Sequence, residues 1–321
     1  MSKNTKSHDT NPISSTENFS STLFTLTPVS KKPIEMSFSA EKISSNGGLL
    51  LLREMEARNG ILQSITNCIA EDRHSGYVKH SISSMLTQRV FQIAAGYEDA
   101  NDCDTLRDDM VLKICAEVLP ESGNSLSSQP TMSRFENSLS RCELYKIALA
   151  FVDNFIQSYS EEPSVIILDP DDTNSNTYGA QQLALFNEYY GEYCYMPLHI
   201  YEGQSGKLIS TILKPGRRSK TADVFSILQR IITHLRKVWK NTMIIVRGDG
   251  HFCSKELMAW ATGQDKVHFL TGLTGNKLLN DLARVTIDSA KKQFKSTGKP
   301  VKRYHSFDYA AGSWSGPQRV I

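Results

Sequence analysis

Apolar residues recur at three-and-four spacing from Gly47 to about residue 160, and beyond that point runs and two-residue alternation take over. In the first stretch, Leu49-Leu50-Leu51-Leu52-Met55, Ile61-Ile65-Ile69, Met85-Val90-Phe91-Ile93-Ala94 and Leu144-Ile147-Ala148-Phe151-Phe155 each predict an amphipathic helix. Residues 36–160 are therefore expected to form an all-helical module. Within it, Ser127-Ser128-Gln129-Pro130-Thr131-Met132-Ser133-Arg134-Phe135 places Pro and hydroxyl residues where a helix opens. That opening presents Gln129, Thr131, Ser133 and Arg134, a set that could sit against DNA phosphates or base edges, although such a signal alone more often marks a plain helix cap.

After Glu161-Glu162-Pro163 the pattern becomes strand-like. Ser164-Val165-Ile166-Ile167-Leu168 predicts a buried strand, and Tyr193 to Tyr201 and Lys207 to Leu213 alternate around Glu202-Gly203-Gln204-Ser205-Gly206 as a β-hairpin. Val224, Leu228, Ile231, Leu235 and Val238 mark an amphipathic helix from about Thr221 to Trp239. Met243-Ile244-Ile245-Val246 is a second buried strand. Ser254 caps a short helix to about Thr262, and Val267 to Leu273 is a further strand. The order βββαβαβ over residues 161–283 predicts an α/β mixed sheet with helices on its faces.

Composition changes this picture mainly at the amino end. Thirteen of the first thirty residues are Ser or Thr and few are apolar, so residues 1–35 are expected to be a disordered leader. It has neither a cationic start followed by an apolar stretch nor any Arg before Arg53, which counts against secretory and mitochondrial signals. No window approaches the roughly 20 apolar residues of a membrane span, so no membrane partner is expected. The six cysteines are scattered without a C-x-x-C pair, as expected of reduced thiols in a cytoplasmic protein.

Net charge is only +2, yet it is polarised along the chain. Between Glu161 and Gln204 there are eight acids and no Lys or Arg; between Lys207 and Lys240 there are nine bases and the single acid Asp223. Such segregation predicts separate acidic and basic surfaces.

The acids sit where chemistry collects in α/β sheets, at the carboxyl ends of strands. The first strand runs into Asp169-Pro170-Asp171-Asp172-Thr173 and the fourth ends at Asp249. If these strands are neighbours, their carboxylates converge and repel unless a cation lies between them. Oxygen-only ligation favours Mg²⁺ or Mn²⁺. Taken one at a time, the same aspartates also suit turns and helix caps.

Leu168-Asp169-Pro170-Asp171-Asp172-Thr173, Tyr178-Gly179-Ala180-Gln181-Gln182, Phe186-Asn187-Glu188-Tyr189-Tyr190-Gly191, Tyr193-Cys194-Tyr195-Met196-Pro197-Leu198 and Arg247-Gly248-Asp249-Gly250-His251-Phe252 together resemble the DDE transposases of bacterial insertion sequences. The likeness runs from about Ser37 through Ile321. It implies a ribonuclease H-like core, a helical region that binds terminal inverted repeats, and Mg²⁺-dependent cleavage and strand transfer. By the same resemblance Asp171 matches the first catalytic aspartate and metal ligand and Asp249 the second, with Asp169 as a supporting partner or an alternative ligand. The implied partner is double-stranded DNA, inverted repeat and target alike. A homodimer on that DNA is one candidate assembly, and the implied location is the bacterial cytoplasm, on the nucleoid when DNA is bound.

The family's third acid, a glutamate beyond a strand-rich insertion, has no counterpart in residues 1–321. The alternation still running into Val320-Ile321 leads to the expectation of a copy cut short, with residues 284–321 as a basic segment and the start of that insertion. Lys214, Arg217, Arg218 and Lys220 after the third strand, and Arg284, Lys291, Lys292, Lys295, Lys299, Lys302 and Arg303 further on, are expected to neutralise DNA phosphates. Two rival readings stand beside this one. Ile166-Ile167-Leu168-Asp169-Pro170-Asp171-Asp172-Thr173 also fits a haloacid dehalogenase-type phosphatase with Asp169 as nucleophile, and a transposase remnant would bind DNA without cutting it.

Overall fold

The computed structural model describes residues 24–36, 44–179, 181–217 and 221–321. The chain divides into two compact units, Met1–Leu139 and Ser140–Ile321.

In the first unit, strands β1 (Phe24–Val29) and β2 (Lys32–Met36) pair antiparallel. Among the described residues the α-helices that follow are α1 (Leu49–Asn59), α2 (Ile61–Thr66), α3 (Ile82–Ala94), α4 (Asp102–Leu106), α5 (Met110–Cys115) and α6 (Gln129–Ser138). The hairpin corrects the expectation of a disordered leader through residue 35. Its Leu26 and Val29 are buried, and the Arg53 guanidinium donates to the Thr27 carbonyl at 2.8 Å and to Glu117 at 2.6 Å. Glu54 accepts from the Thr27 amide and hydroxyl at 3.0 and 2.7 Å. Strands this short, within a Ser/Thr-rich tract, raise little periodic signal. Ile82, Met85, Cys103, Met132 and Phe135 form a core between α3, α4 and α6. Buried Gln88 exchanges hydrogen bonds with the Ser127 backbone at 2.9 Å each way, fixing the approach to α6.

Helix α7 (Arg141–Gln157) opens with a capping box formed by Ser140 and Glu143 and belongs to the second unit, so the boundary lies near residue 139 rather than 160. The reason is packing: Val152 and Phe155 enter the core of the sheet. Helical periodicity locates a helix but does not say which neighbour takes its apolar face.

The second unit contains β3 (Val165–Asp172), β4 (Ser175–Asn176), β5 (Leu185–Asn187), β6 (Glu192–Tyr195), β7 (Leu198–Glu202), β8 (Leu208–Ile212), α8 (Thr221–Val238), β9 (Met243–Gly248), α9 (Lys255–Thr262) and β10 (Val267–Thr271). The main sheet runs β10-β9-β3-β7-β8, with β3 parallel to β9, β9 parallel to β10, and β3, β7 and β8 successively antiparallel. This is the ribonuclease H-like arrangement that βββαβαβ predicts. Strands β4, β6 and β5 form a small separate sheet inserted between β3 and β7, so Tyr193–Tyr195 leave the hairpin predicted for them. Ile166 and Leu168 of β3, Ile200 of β7, and Ile244 and Val246 of β9 are fully buried against Leu228, Ile232 and Leu235 of α8 and Leu257 of α9. Alternation does the rest: the intervening residues of β3 and β9 face the opposite, more open side.

Beyond β10 come α10 (Lys277–Leu282), α11 (Arg284–Thr297) and the antiparallel pair β11 (Phe307–Tyr309) and β12 (Gln318–Val320). Among the described residues no helix is long and apolar enough to cross a membrane.

Candidate active site

Strand β3 runs four residues past the predicted end at Leu168, carrying Asp169, Asp171 and Asp172 in extended backbone. Pro170 marks a break in the sequence pattern, and here it interrupts the pairing on one side of the strand only. Ile167 points its amide to the Glu202 carboxylate and its carbonyl to the Gly203 amide, both on the β7 side. By alternation Pro170 turns its ring nitrogen to the β9 side, where the next rung of the parallel ladder would need an N–H that proline lacks, so that ladder ends at Leu168↔Val246. On the other side β3 continues beside β7 to Asp172↔Leu198.

The one-to-one register of β3 and β9 runs from Val165↔Met243 to Leu168↔Val246. Carried three residues further, it brings Asp171 level with Asp249, which follows directly on β9. Asp169 is level with Arg247, and these two form a bidentate ion pair, Nε to Oδ1 at 2.8 Å and Nη2 to Oδ2. The hydrogen bond and the charge of Asp169 hold the Arg247 guanidinium more firmly protonated than usual. Gly203 lies over the pair: a β-carbon there would stand 2.6 Å from Asp169 Oδ2 and 2.7 Å from Arg247 Nη2. Of the two expected alternatives on β3, Asp169 thus has both oxygens committed, whereas Asp171 is exposed.

Asp249 caps a single 3₁₀ turn, Gly250–Phe252, its Oδ1 accepting from the His251 amide at 2.8 Å. The turn packs tightly against the end of β10. The Gly272 amide donates to the Gly248 carbonyl at 3.1 Å, and a β-carbon on Gly272 would fall 2.7 Å from the Gly250 nitrogen. On the buried face of the sheet Asp172 pairs with Lys214 at 2.5 Å, and its other oxygen lies 3.5 Å from His251 Nε2. Beneath Asp169, Glu202 is 2% exposed and accepts from the Ile167, Gln204 and Ser205 amides and the Ser205 hydroxyl at 2.6–3.1 Å. Burial pushes its carboxyl up, but these hydrogen bonds outweigh burial and hold it below the usual range. Sequence reasoning missed Glu202, Lys214 in its buried role, and His251. The Glu202-Gly203-Gln204-Ser205 turn signal alone pointed toward the first.

The expected DNA-facing residues separate. Lys214 is 7% exposed and is a buried partner of Asp172, not a surface contact for phosphate. Arg217 is exposed; Arg218 and Lys220 lie outside the described residues. Lys291, Lys292 and Lys295 are exposed on α11, a helix with no buried residue. In the first unit α6 begins at Gln129 as expected, with Gln129 half-buried and Arg134 exposed, its guanidinium donating to Thr131 Oγ1 at 3.2 Å. Glu256, on α9, accepts from the Ser254 hydroxyl at 2.7 Å and serves the helix start. Among the described residues no three His, Cys, Asp or Glu side chains stand together as a metal cluster, and the cysteines are free thiols. Burial pushes the Cys115 thiol up to about 12.

The sheet also decides against the phosphatase reading. The chain returns from β3 to the main sheet through antiparallel β7, without the parallel crossover which that chemistry requires, and Asp169, its nucleophile, is bound by Arg247.

No curated protein matches the chain. Among the solved structures that align with it, three do so at 15% identity. A chain of the simian T-cell lymphotropic virus intasome in complex with the PP2A regulatory subunit B56 gamma covers 51% of this chain and 72% of its own, with a TM-score of 0.23. The Mos1 transposase paired-end complex with left transposon end covers 74% and 71% (0.24), and the Mos1 strand transfer complex 82% and 84% (0.22). The fold itself is given by the strand order. The family comparison is of another kind, since the model for "Transposase DDE domain group 1" matches residues 26–321 and so spans both units and every aspartate described above. The chain belongs to the transposase DDE domain group 1 family.

Proposed function

We propose that this chain is the transposase of an insertion sequence: the first unit and the exposed bases bind the element's inverted-repeat ends, and Asp171 and Asp249 hold the divalent ion for strand cleavage and transfer. The observation that carries this reading is the β3–β9 register, which brings those two aspartates level while Arg247 takes up Asp169. The donor set fits a hard cation: two carboxylates, no thiolate, and an exposed position for Asp171 where phosphate and water can complete the shell. A bound Mg²⁺ or Mn²⁺ supplies activation of an attacking hydroxyl and stabilisation of the leaving oxygen. The residues themselves orient the ion against the DNA end. Arg247 keeps Asp169 from competing for it, and Lys291, Lys292, Lys295 and Arg217 supply charge for phosphates.

The test is cleavage of a duplex carrying the inverted repeats that flank the gene, in Mg²⁺ or Mn²⁺. Asp171→Asn and Asp249→Asn should each lower the rate by on the order of 100-fold or more, with DNA-end binding within about twofold of the parent. Cleavage that survives either substitution contradicts the assignment.

A further inference from the structure

Three segments meet at Asp172, the last residue of β3. By strand alternation its carboxylate points to the face opposite that of Asp171, and it is largely buried there. Oδ1 receives Lys214 Nζ at 2.5 Å, from the chain just after β8; Oδ2 lies 3.5 Å from His251 Nε2, in the turn after β9. His251 is bound at both ends, because its backbone amide donates to Asp249 at 2.8 Å. One residue therefore has its ring against the neighbour of Asp171 and its amide on Asp249. Lys214 is anchored in turn, its carbonyl accepting from Met196 at 3.0 Å. On the other side of the same turn stands Gly272, with no room for a β-carbon.

A buried ion pair is poor evidence for stability, because desolvation offsets most of the attraction, so its presence calls for another role. Position supplies one. Mg²⁺ demands near-octahedral geometry at about 2.0–2.1 Å, and a site of this kind tolerates errors of only about 0.5 Å. The strands carrying Asp171 and Asp249 cease to be hydrogen-bonded to each other at Leu168↔Val246, before either aspartate. Beyond that point the ladder no longer sets their separation.

We infer that Asp172, Lys214 and His251 form a clamp that takes over from the ladder and fixes the Asp249 turn against the tip of β3, setting the spacing of Asp171 and Asp249 for the ion. These three are positioning residues, not ligands, and the inference rests on the reading of Asp171 and Asp249 as the metal site. Lys214 has a second effect of the same sign: it neutralises a carboxylate adjacent to the site that would otherwise draw the cation away.

The test is Mn²⁺ affinity of the full chain, titrated by electron paramagnetic resonance, beside the thermal midpoint without metal. Asp172→Asn/Lys214→Met removes the ion pair without leaving a lone buried charge, and His251→Phe removes the ring's polar contact while keeping the amide bond to Asp249. Both should weaken Mn²⁺ binding at least fivefold in protein that still melts cooperatively, and Lys214→Arg should stay within about twofold of the parent. A purely structural role would shift the midpoint and leave Mn²⁺ affinity unchanged, and that result overturns the clamp. Should the double variant fail to fold, His251→Phe and Lys214→Arg decide on their own. Asp171→Asn and Asp249→Asn separate the two failures: if neither weakens Mn²⁺ binding, the metal-site reading itself has failed. If both do while the clamp variants bind like the parent, only the clamp has.

Discussion

Glu202 shows how a single side chain can be both costly and necessary. Its buried carboxylate closes the β7–β8 turn by accepting three hydrogen bonds there and reaches across to accept a fourth from the Ile167 amide on β3, beneath Asp169. Because its pKa in the folded protein lies below the ordinary value of about 4.3, its contribution to stability is fully present above that value and is lost as pH falls through the lowered one. Glu202→Gln should therefore cost about 2 kcal/mol at neutral pH, where the amide's one oxygen cannot serve four donors, and progressively less below about pH 4. Urea denaturation at about pH 7 and pH 3.5 measures the gap; a gap independent of pH contradicts this account. Gly272 poses a steric question instead. Gly272→Ala forces a β-carbon against the Gly250 backbone, which cannot rotate away, so it should destabilise the protein by about 1–3 kcal/mol and displace the Asp249 turn. Calorimetry and Mn²⁺ affinity should both register it.

At the level of elements, α11 is the clearest case of a helix with no core to join. All its residues from Lys291 onward are exposed, and Lys291, Lys292 and Lys295 fall on one face by their three-and-four spacing. Replacing the three with alanine should flatten the salt dependence of DNA-end binding by up to about three units of log-log slope, and an unchanged slope would leave them a solvated face only. Their exposure was legible in the sequence, since seven bases with one acid make no core. The fate of Lys214 was not: in sequence it stands with Arg217, Arg218 and Lys220, and only the fold turns it inward to Asp172. The hairpin of β1 and β2 and the attachment of α7 escaped sequence reasoning for a related reason. Each depends on a partner distant in the chain, Arg53 and Glu54 for the hairpin and the sheet core for α7.

For the whole molecule, the topology was the most legible feature because it needs only the order of elements and the change of hydrophobic period, both local. The site was legible in part. Asp171 and Asp249 stood out as acids at strand ends, whereas the pairing of Asp169 with Arg247, on which the proposal of Asp171 leans, was visible only in the register. The small sheet of β4, β5 and β6 was hidden because strands of two to four residues have too short a run to show alternation. What joins these levels is one structural relation: two parallel strands whose ladder ends just short of two carboxylates. The most direct measurement of its meaning is an anomalous-difference map from crystals of the full chain soaked in Mn²⁺. The account predicts a peak within coordination reach of both the Asp171 and Asp249 carboxylates, with Asp169 still paired to Arg247. A peak on Asp169 or Asp172 with none between Asp171 and Asp249 would contradict it.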